Sequence, residues 1–162
     1  MAYNPSSTAR IMDCLAFIDR CIREGQAFRP ENILALFFFP WAESILHDAP
    51  QRSDRGKIVH DAFMRSGVQA TVPKTIRTNC IQILIILEAM LTAMQTGRFP
   101  GSLKKRALYK DSARMFALLY HRNLLNEDDP FAVAFSQRFP QTIRTKRRRR
   151  RSARGAKMRP TL

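Results

Sequence analysis

The residues with the most chemistry in this chain stand in one run, Lys146-Arg147-Arg148-Arg149-Arg150-Arg151. Guanidinium groups donate planar, bidentate hydrogen bonds to phosphate and stack on bases, which an ammonium does less well. The run belongs to a longer cationic segment. Between Gln141 and Leu162 stand Arg144, Lys146, Arg147, Arg148, Arg149, Arg150, Arg151, Arg154, Lys157 and Arg159, ten cations with no acidic or aromatic residue among them. Of the chain's net +15 (28 Lys+Arg against 13 Asp+Glu), this tail supplies ten and residues 1–140 the remaining five. Such a segment repels itself and has little apolar surface to bury, so it is expected to stay unfolded until a polyanion binds it. Nucleic acid is the first candidate, RNA ahead of DNA, because Arg-rich segments that fold on binding are commoner among RNA readers. The acidic groove of a nuclear import receptor and an anionic membrane surface are the others. With no aromatic platform, the binding is expected to be largely independent of sequence.

A second basic group lies further up the chain. Arg106, Lys110 and Arg114 are four apart, so on one continuous helix from about Ser102 to Asn126 they would form a stripe, with Arg98, Lys104 and Lys105 at its start. This predicts a phosphate track on the folded body; a solvated outer face is the plainer reading. The aromatic run Phe37-Phe38-Phe39-Pro40-Trp41 cannot turn every ring to one core. It is expected to be mostly core, with Phe37, Phe38 and Trp41 the candidates for a partner or self-association surface. Glu127-Asp128-Asp129 precede Pro130, where carboxylates suit a helix start. A lesser role would be to hold the tail when no nucleic acid is bound. Ser152 follows the arginines, where a phosphate would subtract up to about two charges.

Other chemistry is sparse. Cys14 and Cys21, with His47 or His60, match no compact zinc module, and three cysteines without a CxxC pair argue against both a disulfide framework and a metal site. No Walker loop, dinucleotide fingerprint, nucleophile elbow or HExxH helix is present. The sequence therefore predicts neither an enzyme nor a bound cofactor.

The elements that position these groups read as helices. Ile11, Leu15, Ile18 and Ile22 mark an apolar stripe on a helix from Thr8 to Glu24. Pro30 opens a second helix that is expected to stop at Pro40, with a further turn to His47. A third spans about Asp54 to Arg65. A fourth, Pro73 to Gln95, is apolar nearly all round and so central. A short last helix runs from Pro130 to Arg138. The expectation is an all-α bundle or orthogonal array of five to six helices over residues 1–140, followed by a basic tail over 141–162. The apolar run Cys80 to Met94 is too short for a transmembrane segment and the start lacks a signal peptide. A nuclear or nucleolar and cytoplasmic location is expected, not secretion. A compact helical body with a basic tail is similar in plan to small viral nucleocapsid and accessory proteins, an analogy of architecture. The alternative is a regulatory protein whose tail is a nuclear address and whose body binds a protein partner.

Overall fold

The computed structural model describes residues 5–49, 54–67 and 71–140; the cations of the tail lie outside them. The described residues form six α-helices and no strand: α1 (Pro5–Arg23), α2 (Pro30–Asp48), α3 (Arg55–Arg65), α4 (Lys74–Thr96), α5 (Tyr109–Tyr120) and α6 (Pro130–Arg138). Short 3-10 turns at Leu103–Lys105 and Arg122–Leu124 flank α5.

The apolar composition of α4 dictates the arrangement. Cys80, Ile83, Leu87, Met90 and Met94 continue one face, while Ile81, Leu84 and Ile86 fill others, and all are buried. A helix apolar on several sides must be wrapped, and α2, α3, α5 and α6 all pack on it. At Lys74–Thr96 it is longer than the apolar run alone suggests, and by length and composition it would suffice to cross a membrane. Here its buried side chains are covered by the neighbouring helices. Local chemistry sets the boundaries. Asp54 caps α3 by accepting from the Lys57 amide at 3.1 Å. Gly97 ends α4 with a left-handed φ of 66°.

Two helices depart from the sequence expectation. α2 does not stop at Pro40; it runs through to Asp48. Proline inside a helix costs about 3 kcal/mol. Ala35, Phe39, Ala42 and Leu46 keep the same buried phase on both sides of Pro40. Burying Phe39 and Leu46 contributes roughly 1.5–3 kcal/mol each, enough to offset that cost. In α1 the stripe is rotated. Cys14, Ile18 and Cys21 face the core, whereas Ile22 is 48% exposed. The thiols act as small hydrophobes, and the Cys14 thiol reaches the Leu118 carbonyl of α5 at 4.0 Å.

The third departure concerns the predicted helix from Ser102 to Asn126. It is broken: Arg106 is extended (φ −74°, ψ 137°) and α5 begins only at Tyr109. The cause is Asp129. Its carboxylate takes an ion pair from Lys104 and a 2.8 Å hydrogen bond from the Tyr109 hydroxyl. Residues five apart on an α-helix sit about 140° around the axis from each other. Both reach one carboxylate only because the chain turns between them.

Candidate nucleic-acid interface

The segment between α4 and α5 is fastened along the length of α6. At one end, a Cβ on Gly97 would lie 3.2 Å from the Phe139 ring, so the glycine is required both for its positive φ and for this close approach. In the middle, Phe99 packs on Phe131 (centroids 5.4 Å) and meets Phe135 edge-on (5.2 Å). At the far end, Lys104 and Tyr109 reach Asp129 at the α6 N-cap, where Asp129 also accepts from the Ala132 amide at 3.0 Å. A nine-residue helix is about 13 Å long, so the segment spans roughly that distance beside it.

This arrangement decides which body cations are available. Lys104 is held by Asp129 and stands 5.4 Å above the Phe99 ring, so it braces the segment. Arg114 stacks over Phe28 at 5.3 Å and is half-buried. Arg106 is not on α5, so the predicted stripe reduces to Lys110 and Arg114, of which only Lys110 is exposed. Among the described residues, Arg98, Lys105, Arg106 and Lys110 are exposed and carry no ion pair. By contrast Arg29, Arg55 and Arg122 are paired with Asp111, Glu88 and Asp13. Arg138 lies at the other end of the contact, 5.7 Å above the Phe139 ring. Arg98 therefore stands next to the point where the chain passes Phe139 and Pro140 towards the tail. Sequence reading included Lys104 and Arg114 among free cations and missed Arg138; the long-range partners of the first two leave no local signal.

Asp129 is the electrostatic centre of the brace. Burial pushes its carboxyl up, but the Lys104 ion pair, the Ala132 amide and the Tyr109 hydroxyl outweigh this and hold it below the usual value of 3.8. Burial, then the Asp129 bond and charge, push the Tyr109 hydroxyl well above the usual tyrosine value. A carboxylate with a depressed folded pKa contributes stability that is full above its unfolded value and lost as pH falls through the folded one. Asp129→Asn is therefore expected to destabilise the protein by about 1–2 kcal/mol near neutrality, the cost of a weakened cap and a lost charge pair. That difference should shrink on acidification below about pH 4. Chemical denaturation of both proteins across pH checks it; a constant difference would mean that the Asp129 charge contributes nothing.

The aromatic run behaves as expected of a mostly buried cluster. Phe39 is 2% exposed, Phe38 packs on Phe63 at 4.6 Å and on Trp41 at 5.7 Å, and Phe37 is 51% exposed. Other chemistry-bearing groups serve the fold. Glu31 accepts from Asn79 at 3.2 Å, joining the N-terminal ends of α2 and α4. Burial and the Glu31 charge push the adjacent Cys80 thiol up to about 12, so it stays protonated. A groove of about 270 Å³ between α2 and α4 has Phe39, Leu84 and Leu91 among its lining, with Glu43, Arg55 and Glu88 at its polar side. Glu88 there is held by Arg55 and Thr92. Among the described residues no three His, Cys, Asp or Glu side chains gather as metal ligands.

Comparison with protein-family models, curated proteins and solved structures finds no match to this chain.

Proposed function

We propose that this protein binds nucleic acid, RNA in preference to DNA and with little regard to sequence. In this reading the ten tail cations supply most of the affinity, and the exposed cations of the body extend the same electropositive surface. The observation that carries it is the contact of Phe139 with Gly97, which puts Arg98 beside the last residue before the tail, at one end of a braced segment whose far end leads through Lys105 and Arg106 to Lys110. A phosphate backbone gripped by the tail would meet these cations without any change in fold. The surface has phosphate ligands and no base-reading platform, so it suits a backbone followed by charge.

Charge reversal tests the contribution of the body. Full-length protein carrying Lys105→Glu, Arg106→Glu and Lys110→Glu is expected to bind single-stranded RNA about tenfold more weakly, and its salt dependence should flatten by about two in log–log slope. Arg114→Gln, changed where the guanidinium already stacks on Phe28, should matter far less. Fluorescence anisotropy over a salt series measures both. If the triple variant binds like the wild type, the tail acts alone.

A second reading is favoured by the exposed Phe37: the body binds a protein, and the tail serves as an import signal. Replacing residues 141–162 with a simple import signal separates the two. Restored cellular function without RNA affinity supports the second reading.

A further inference from the structure

Glu88 lines the groove between α2 and α4, and the fold uses half of its carboxylate. Arg55 and Thr92 (2.9 Å) both donate to Oε1. Among the described residues nothing donates to Oε2, although the side chain is only 17% exposed. A largely buried carboxylate oxygen without a donor is costly, and a cationic donor relieves it best. Glu43 is exposed in the same lining, which therefore carries two carboxylates against the one guanidinium of Arg55. This is a negative site on a body of net +5. Phe39, Leu84 and Leu91 give it an apolar wall. Its volume of about 270 Å³ is below the roughly 300–1,000 Å³ of pockets for drug-sized ligands. An apolar wall that ends in an open carboxylate suits one long side chain with an aliphatic stem and a cationic head. Arginine fits best, because its guanidinium matches a carboxylate and sheds water more readily than an ammonium.

We propose that this groove seats the chain's own basic tail when no nucleic acid is bound, and that RNA must displace the tail from it. Charge complementarity is the first argument: residues 141–162 hold ten cations and no acid. The path of the chain is the second. Gln95 lines the groove near the end of α4, and Gly97, two residues on, meets Phe139. At about 100° per residue, Gln95 and Gly97 lie on nearly opposite sides of the last turn. Rounding a helix about 10–12 Å across takes about four extended residues. That brings Arg144 to the Gln95 end of the groove. Glu88 is roughly 10 Å further along α4, about three more extended residues, which brings Arg147 level with its open oxygen. The seat is weak by design of its parts, since Arg55 already occupies Oε1. Connection to the body makes up for this: an effective concentration of roughly 2 mM keeps a contact with a dissociation constant of about 1 mM two-thirds filled. With the tail free about one third of the time, apparent RNA affinity is lowered about threefold. The competition with RNA rests on the proposed function; the seat itself does not.

The first arm of the experiment uses the wild-type full chain without nucleic acid at low salt. A carbodiimide, which joins a carboxylate directly to an amine, is expected to couple Lys146, the neighbour of Arg147, to Glu43 or Glu88. Peptide mass spectrometry on a mixture of ordinary and ¹⁵N-labelled protein reads the product, which should carry one label throughout. Mixed labels would assign the groove to a second copy's tail and overturn the proposal. Coupling of Lys146 to Glu127 or Asp128 instead, or to no carboxylate, would overturn it as well. Poly(U) should reduce the Glu43 and Glu88 products several-fold; unchanged products with RNA bound would overturn the competition. The second arm compares Glu43→Gln/Glu88→Gln with Glu127→Gln/Asp128→Gln, which removes the same charge away from the groove. Circular dichroism verifies that both fold. The groove variant should bind a short oligouridylate about threefold more tightly than the other, and the difference should vanish at high salt. Equal affinities would overturn the competition. If no RNA is bound at all, the functional reading fails, while crosslinking still decides the seat.

Discussion

Removing residues 141–162 is expected to lower affinity for single-stranded RNA by roughly 10³-fold or more near physiological salt, while the helical body keeps its fold. The expectation follows from counterion release. Each phosphate neutralised on a single strand contributes about 0.7 to the log–log salt slope, so ten tail cations in contact would contribute about seven. At and beside the segment between α4 and α5, Arg98, Lys105, Arg106 and Lys110 are exposed without ion pairs, and on the same basis this group would contribute about three. The shortened chain should therefore bind weakly, with a much shallower salt dependence. Its fold should be untouched, because the core buried among the described residues is built from side chains that precede Pro140. Parallel anisotropy titrations and thermal melts of the full chain and of Met1–Pro140 measure both effects. Retained affinity after truncation would transfer the binding function to the body and leave the tail as an address.

The charge ledger of the body is the reason to expect the tail to dominate. Most of the arginines that pack against the core are matched there: Arg55 with Glu88, Arg122 with Asp13 and Cys14, and Arg114 over Phe28. An arginine held by a carboxylate has little left to offer a phosphate. Other exposed cations, among them Arg20, Arg23, Lys57 and Lys74, are spread over α1, α3 and the start of α4, and a further group stands where α4 hands over to α5. That segment needs only its Phe99, Leu103 and Lys104 side chains to fasten it, which leaves Arg98, Lys105 and Arg106 turned outward.

Local rules made much of this architecture readable. The nearly all-round apolar pattern of α4 and the carboxylates before Pro130 at a helix start each act over a few residues, so a linear reading finds them. The departures come from partners distant in sequence. Whether α2 ends at Pro40 depends on how well Phe39 and Leu46 pack, not on the proline alone. Which side of α1 is buried depends on Cys14 and Cys21, which a count of Ile and Leu passes over. The start of α5 depends on a carboxylate 25 residues from Lys104 and 20 from Tyr109. The candidate site divides the same way. The density of arginine in the tail is visible in the sequence, whereas the meeting of Gly97 with Phe139 is visible only in the fold.

Phe131→Ala is expected to be the most damaging single change to the body, because one ring joins three elements. Phe131 is fully buried and stands 5.4 Å from Phe99, 5.1 Å from Phe116 and 6.1 Å from Phe135. It therefore links the α4–α5 segment, α5 and α6 at a single point. Emptying such a site costs about 3–5 kcal/mol through lost burial and the cavity left behind. For a domain of this size that corresponds to a fall in melting temperature of about 10 °C or more. Asp129 would still hold one end of the segment, so the loss should appear first where Phe99 leaves α6. The segment that bears Arg98, Lys105 and Arg106 would then no longer be fixed along α6. At a temperature where the variant remains folded, RNA affinity should fall by no more than the body's share, about tenfold, and the tail's steep salt dependence should persist. Melting followed by circular dichroism, with binding measured well below the transition, separates the two effects. A shift of only a degree or two would mean that Phe99 is anchored by Phe135 alone and that the three-element junction is not what fixes the segment.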